Sequence, residues 1–307
     1  MPPVATFDIM LPFYGDVALL RETVRSVQEQ EDGDWRLTVV DDCYPDDTVA
    51  DWFAGLGDAR ISYQRNETNL GINRNFQKCV ELAEHEYVVI IGSDDVMLPN
   101  YVRTVRGIIG AYPDAAIVQP GVQIVDGQGN PSRSLVDDTK QRFYRPKFTG
   151  RTLLSGEPLA VSLLRGNWLY FPALCWRTKD IQSVGFRDGL SIVQDLALVI
   201  DLVQQGCSLA VDDTLCFQYR RHADSLSSKG AVAASRFVEE RNYFLDVAER
   251  MRAQGWDRAA RVAQHHVSSR LHALTLLPGA VRGGQREGAR MLARHAFGAG
   301  KKVTEGA

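Results

Sequence analysis

The stretch Tyr87-Val88-Val89-Ile90-Ile91-Gly92-Ser93-Asp94-Asp95 decides the fold class. Residues 87–91 form an unbroken apolar run, which predicts a strand inside a parallel sheet covered by helices. That strand runs straight into two carboxylates. In an open α/β sheet, ligands bind beyond the carboxyl ends of the strands, so the residues just after each strand matter more than those within it.

Working outward, the same alternation recurs. Residues 7–11 read as a first strand, 12–15 as a turn, and Val17, Leu20, Val24 and Val27 recur at helical spacing before a β-rich run over 35–40. A helix over 48–56, a strand over 61–64 and a helix over 73–83 lead to the acidic strand. Beyond it the pattern predicts a strand over 116–125, a turn over Asp126-Gly127-Gln128-Gly129-Asn130-Pro131, and a polar connection to about residue 149. Helices are expected over 153–164 and 195–204, with a partly extended, aromatic segment over 168–176 between them. From about residue 231 the chain is helical by composition, and Phe237, Tyr243, Phe244, Val247 and Met251 make an apolar stripe. The expected division is a main domain over 1–228 and a helical C-terminal extension over 229–307, the latter also a candidate surface for self-association.

Composition narrows the classes. With 307 residues and 45% hydrophobic side chains, the chain is long and apolar enough to bury a substantial core. A net charge of -3 gives no overall basic field, so nucleic acid is not an expected partner. Residues 1–7 lack a basic segment followed by an apolar run, and no long apolar stretch occurs, so a cytoplasmic protein is expected. The basic stretch containing Arg282, Arg286, Arg290, Arg294, Lys301 and Lys302 offers a candidate peripheral contact with the inner face of a membrane, against a solvated helix and tail. The 5 cysteines are an odd number without C-x-x-C spacing, which argues against a disulfide framework and against a zinc site. The adjacent His265 and His266 do not share a helix face and make a poor metal pair.

Two acidic pairs come directly after apolar strands: Val39-Val40-Asp41-Asp42 and Ile90-Ile91-Gly92-Ser93-Asp94-Asp95. One pair of aspartates is ordinary turn chemistry. Two pairs at the carboxyl edge repel one another unless cations or hydrogen-bond donors compensate them. Carboxylate oxygens suit Mg²⁺ or Mn²⁺, which hold diphosphate oxygens and neutralise a departing nucleotide. No phosphate-binding G-x-x-x-x-G-K-[ST] loop and no G-x-G-x-x-G motif after the first strand is present, which leaves a P-loop nucleotidase and a dinucleotide enzyme without support.

Taken in order, these motifs resemble the family-2 inverting glycosyltransferases of the GT-A fold, over residues 7–227. Asp8-Ile9-Met10-Leu11-Pro12-Phe13-Tyr14 is similar to the family's first strand and Pro-x-Tyr turn. Asp41-Asp42 resembles its second-strand pair, with Cys43-Tyr44 in place of Gly-Ser. Asn69-Leu70-Gly71-Ile72-Asn73-Arg74-Asn75 resembles its Asn-x-Gly and Arg-Asn, and Asp94-Asp95 its metal motif, with Gly92 where an Asp is usual. Gln194-Asp195 resembles the Glu-Asp pair that supplies the base, with Gln194 replacing Glu. Tyr219-Arg220-Arg221-His222, followed by Ser225, Ser227 and Ser228, resembles the Tyr-Arg-x-His loop with its serines.

The resemblance implies an α/β, GT-A-like nucleotide-diphospho-sugar transferase fold with a mixed, mostly parallel sheet. The activity it implies is inverting transfer of a sugar from a nucleoside-diphosphate donor to the hydroxyl of a glycan, lipid-linked or small-molecule acceptor. It implies Mn²⁺ or Mg²⁺ at Asp94 and Asp95, with Asp94 the direct ligand and Asp95 orienting ribose or metal-bound water. Donor contacts would come from Pro12, Tyr14, Asp41, Asn69, Arg74, Asp94, Arg220 and His222, and the general base would be Asp195. Asp41 would accept from uracil, thymine or guanine alike. Arg74 would neutralise diphosphate or flank the base. Read alone, Pro12 and Tyr14 are equally ordinary turn residues, Asn69 to Asn75 a turn at a helix start, Arg220 and His222 a solvated basic loop, and Asp195 an acid complementing a helix dipole. Trp168, Tyr170 and Trp176 are candidates for an acceptor groove or for the core. The rival readings are a catalytically silent nucleotide-sugar-binding scaffold of the same fold, motivated by Gly92 and Gln194, and a nucleotidyltransferase, whose Gly-rich, Lys-bearing loop is lacking at Pro12-Phe13-Tyr14-Gly15-Asp16.

Overall fold

The architecture comes from a computed structural model, which describes residues 7–133, 138–221 and 233–298. The chain runs β1 (Phe7–Phe13), α1 (Val17–Gln28), β2 (Trp35–Asp41), α2 (Thr48–Ala54), β3 (Ile61–Arg65), α3 (Ile72–Leu82), β4 (Tyr87–Ile90), β5 (Val96–Met97), α4 (Tyr101–Ala111) and β6 (Ile117–Val125). It continues through β7 (Thr152–Leu154), α5 (Gly156–Arg165), β8 (Cys175–Arg177), α6 (Thr178–Val184), α7 (Gln194–Gln204) and β9 (Leu209–Arg220). Four helices complete the described chain: α8 (Ala233–Ala253), α9 (Asp257–His265), α10 (Val267–Arg282) and α11 (Arg286–Phe297).

Among the described residues the strands form one sheet in the order β3-β2-β1-β4-β8-β6-β9-β5, with β7 pairing on β9. Parallel pairing joins β3 to β2, β2 to β1, β1 to β4 and β6 to β9, while β8, β5 and β7 run antiparallel to their neighbours. Thus β1, β2, β3, β4, β6 and β9 all point one way, and the sheet is mixed but mostly parallel. The apolar strands are apolar because both faces are covered, and successive side chains enter opposite layers. Ile9, Leu11, Val39 and Val89 join one cluster with α1, α2 and α4; Met10, Val40, Val88 and Ile90 join the other with α3, α5, α6 and α7.

Several expectations are corrected by non-local pairing. Pro12 and Phe13 belong to β1, opposite Val40 and Asp41, so the turn begins only at Tyr14. Proline is tolerated there because pairing with β4 stops at Met10. The helix expected over 153–164 begins only at Gly156, whose φ of +61° suits glycine, since 152–154 are drawn into pairing with β9. Trp176 is a core residue with no exposed surface, inside the sheet between Val88 and Ile117. All 5 cysteines are free.

The C-terminal helices join the main body unequally. Tyr243, Phe244, Val247 and Met251 of α8, with Ala259, Ala260 and Ala263 of α9, lie in the same apolar cluster as Leu159 and Leu163 of α5. Phe237, at the other end of α8, packs instead with Ala273 of α10 and with Leu292 and Ala296 of α11. Arg282, Arg286, Arg290 and Arg294 are exposed, while Lys301 and Lys302 lie outside the described residues. No helix among the described residues is long and apolar enough to cross a membrane.

Candidate active site

Because β1, β2, β4, β6 and β9 are co-directional, their carboxyl ends meet at one edge of the sheet. The aspartates of the second strand divide their work there. Asp42, 2% exposed, accepts from Leu70 N at 2.7 Å, Gly71 N at 2.9 Å and Asn66 Nδ2 at 2.9 Å, so it ties down the loop containing Asn69. Asn69 itself is exposed and accepts from Gly71 N at 3.1 Å, closing a turn in which Gly71 has φ +80°. Asp41 has no exposed surface; its Oδ1 accepts from Tyr44 N at 2.7 Å and its Oδ2 from the Tyr63 hydroxyl. Burial, then the Asp41 carboxylate, push the Tyr63 phenol well above its ordinary range. Between them Cys43 takes φ +60°, which explains why glycine suits that place in the motif. Tyr14, 57% exposed, meets Tyr44 edge-on at 5.5 Å and presents an open aromatic ring at the mouth of the edge. Half-buried Pro12 lies just behind it, in the strand.

The second acidic turn is braced from three sides. Gly15, after β1, lies against Ser93; Thr23 of α1 donates from Oγ1 to the Asp95 carbonyl at 2.7 Å; and Arg220 N donates to Asp95 Oδ1 at 2.9 Å. The Arg220 guanidinium, whose side chain is 3% exposed, donates to the Asp94 carbonyl at 2.7 Å, the Gly127 carbonyl at 3.2 Å and Glu22 Oε1 at 2.6 Å. Arg220 therefore holds the turn that carries the acids. His222, with Ser225, Ser227 and Ser228, lies outside the described residues.

Gly92 also acquires a reason. A Cβ at that position would stand 2.5 Å from Asp95 Oδ2 and 3.0 Å from Asp94 Oδ1, so the missing side chain makes room for the Asp95 carboxylate. Asp95 is 1% exposed, and burial followed by the adjacent Asp94 charge raises its pKa. Asp94 is only partly buried. No cluster of three or more His, Cys, Asp or Glu side chains suited to a metal occurs among the described residues. A donor set of one or two carboxylates nevertheless fits Mg²⁺ or Mn²⁺, which take the rest of their shell from phosphate oxygens and water. Asp94 is the more exposed member of that pair.

Asp195 occupies the first turn of α7. The short link from Gln204 to Leu209 places the end of α7 near the start of β9, so its beginning points back toward the carboxyl edge. Asp195 Oδ2 accepts from Asn167 Nδ2 at 3.1 Å, and Oδ1 from Leu196 N at 2.7 Å. Trp168, Tyr170, Phe171 and Tyr219 line the same pocket, together with Lys140 and Arg221. Tyr170 is fixed from behind, its N–H donating to Gln119 Oε1 at 3.0 Å and its ring 5.5 Å from Tyr219. Burial raises the Asp195 carboxyl above the ordinary aspartate value of 3.8, with Lys140 among the charges opposing the rise. Strand β9 links both centres, since Tyr219 faces this pocket and Arg220 the acidic turn.

Not every expected residue joins these groups. Arg74 is exposed on α3 and lines a different pocket, with Asn73, Lys78, Phe186 and Arg187. Sequence reading missed Asn167, Glu22 and Gln119, since each acts on a partner far along the chain and none belongs to a recognisable motif.

Comparison with known proteins bears on the family and the fold. The family model for Glycosyl transferase family 2 matches residues 8–174. An uncharacterized protein of Mycobacterium tuberculosis is 27% identical over 257 residues, covering 80% of this chain and 76% of the relative. Abequosyltransferase RfbV of Salmonella typhimurium is 29% identical over 131 residues, covering 40% of this chain and 39% of the relative. In structure, S. aureus TarS 1-349 in complex with UDP-GlcNAc superposes with a TM-score of 0.59 at 16% identity, over 96% of this chain and 92% of that one, a likeness of fold. With more than half of its length matched by the family model and its overall fold shared with a solved glycosyltransferase structure, the chain belongs to glycosyl transferase family 2 and is a glycosyltransferase of the GT-A fold.

Proposed function

We propose that this glycosyltransferase uses a nucleoside-diphosphate sugar donor with a divalent cation, Mg²⁺ or Mn²⁺, and transfers the sugar with inversion to an acceptor hydroxyl activated by Asp195. The observation that carries the reading is the Asp195 carboxylate, burial-raised in pKa and held by Asn167 in an aromatic pocket that shares strand β9 with the braced Asp94-Asp95 turn. As the acceptor oxygen bonds to C1 from one face, its proton passes to Asp195 and the C1–O bond to the diphosphate breaks on the other face. Asp94, with Asp95 behind it, would hold the cation, which would supply neutralising charge for the diphosphate. Tyr14 offers a stacking face for the base, whereas Asp41, fully buried and engaged by Tyr44 and Tyr63, would meet the base edge only once one of those tyrosines moves aside. Tyr170, Phe171 and Tyr219 suit the apolar face of an acceptor sugar.

The complex of the similarly folded S. aureus protein with UDP-GlcNAc supports the choice of donor class. A thermal-shift screen of nucleoside diphosphates with Mn²⁺ tests it. A ligand at about a hundredfold its Kd stabilises by roughly 2.7 kcal/mol, and the best donor should then be hydrolysed slowly when water replaces the acceptor. Stabilisation by none of the uridine, thymidine, guanosine or cytidine diphosphates would sink the donor reading, and binding without any turnover would favour a silent scaffold.

A further inference from the structure

The segment just ahead of the base is held by the C-terminal helices. Glu239, on α8, accepts at Oε1 from the backbone N–H groups of Ser191 at 2.9 Å, Ile192 at 2.7 Å and Val193 at 3.1 Å, and at Oε2 from Ser191 Oγ at 2.8 Å. One carboxylate from 46 to 48 positions away thus gathers consecutive donors on the lead into α7. The next residues are Gln194 and Asp195.

From these contacts we infer that Glu239 is a positioning residue for Asp195, and that α8 is part of the catalytic apparatus. The inference rests on Asp195 being the base. The physical reason is competition for donors. Backbone N–H groups at the start of a helix attract whatever carboxylate is nearest, and an aspartate in the first turn is well placed to fold back onto them. Here Asp195 Oδ1 already accepts from Leu196 N. With Glu239 occupying the preceding N–H groups, Asp195 Oδ2 is left to Asn167 and the pocket. Remove Glu239, and these N–H groups lose their acceptor two residues ahead of Asp195, whose carboxylate is then drawn toward them. The cost falls on the geometry of proton transfer.

The inner surface of α8 is anchored for such a role. Tyr243, Phe244 and Val247 sit in the main apolar cluster, and Arg250 donates to Asp201 Oδ1 of α7 at 2.7 Å, so α8 is fixed against α7 beyond the Glu239 contact as well. Arg236, one turn before Glu239, is among the charges acting on Asp195. Removing one side chain therefore leaves the helix in place and changes only the local donors.

The test uses the full chain, with hydrolysis of the donor selected by thermal shift. Glu239→Ala should lower kcat by about tenfold or more while the donor KM stays within about twofold, because the donor's contacts lie elsewhere. Glu239→Gln, whose amide oxygen still accepts, should recover most of the loss. Amide hydrogen exchange over 191–196 should accelerate in the Ala variant and much less in the Gln variant. Wild-type kcat in Glu239→Ala would overturn the inference, as would a loss equal to the fall in folded fraction with no recovery in Glu239→Gln. Asp195→Asn, run alongside, keeps the two claims apart. Collapse of turnover there with a normal Glu239→Ala refutes the positioning role alone, whereas normal turnover in Asp195→Asn refutes the base.

Discussion

Asp195→Asn tests the chemistry most directly, because the structure predicts that its effects on stability nearly cancel. The amide oxygen keeps one acceptor, for Leu196 N, but its NH₂ then faces Asn167 Nδ2, which is turned toward Asp195 while Asn167 Oδ1 accepts from Leu169 N at 3.2 Å. One hydrogen bond is lost, costing about 1 kcal/mol, and the favourable charge at the start of α7 goes with it, about 0.3 to 1 kcal/mol. Against this stands a gain. The Asp195 carboxyl is raised above 3.8 in the fold, so its ionisation costs stability as pH rises from the ordinary value through the raised one, and asparagine escapes that cost. The net change should be within about 1 kcal/mol, or about 4 °C in Tm at most. Donor affinity should be unchanged. Turnover should fall by about 10² to 10⁴, the usual cost of removing a general base. In the wild type the acid limb of kcat should lie above the ordinary aspartate value of 3.8, since only the ionised carboxylate takes a proton. Melting and donor hydrolysis measured on one preparation decide the matter. Near-normal turnover with a slightly lower Tm would make Asp195 a helix-end acid and refute the reasoning.

Three further variants examine the acidic turn. Asp94→Ala should abolish the enhancement of donor binding by Mn²⁺ in calorimetry while leaving the fold intact; an unchanged enhancement would put the cation elsewhere. Arg220→Met should lower stability to chemical denaturation by about 1 to 3 kcal/mol, because the partly buried carbonyls of Asp94 and Gly127 lose a charged donor, although Glu22, half exposed, regains water. Donor affinity should fall with it, and a fully stable variant would contradict the brace. Gly92→Ala should cost about 1 to 3 kcal/mol by overpacking, since its Cβ would stand 2.5 Å from Asp95 Oδ2, and should weaken donor binding; wild-type melting would show that the turn yields freely.

The layered α/β body and the strand edge that carries its acids are both legible in the residues alone. Both are local messages. Apolar runs such as 87–90 show that both faces of a strand are covered, helical spacing at Leu20, Val24 and Val27 marks the covering layer, and acids immediately after a strand fall where co-directional strands end. Tertiary structure alone decided what each polar side chain does there. Asp41 and Asp42 are neighbours in sequence with the same chemistry, yet one holds Tyr63 and the other the loop at Leu70 and Gly71. Arg220 reads in sequence as a donor-binding residue or a solvated basic loop and proves to be a buried brace, because its partners Glu22, Asp94 and Gly127 come from three distant segments. Trp176 is in the core and Tyr170 in the pocket, a distinction set by pairing with β4 and β6 and by Gln119. Glu239 is one acid among many on a C-terminal helix until the fold sets it under Ser191, Ile192 and Val193. Periodicity records which surface is buried; it carries no record of which remote donor meets which acceptor, and only packing of the whole chain assigns those partners.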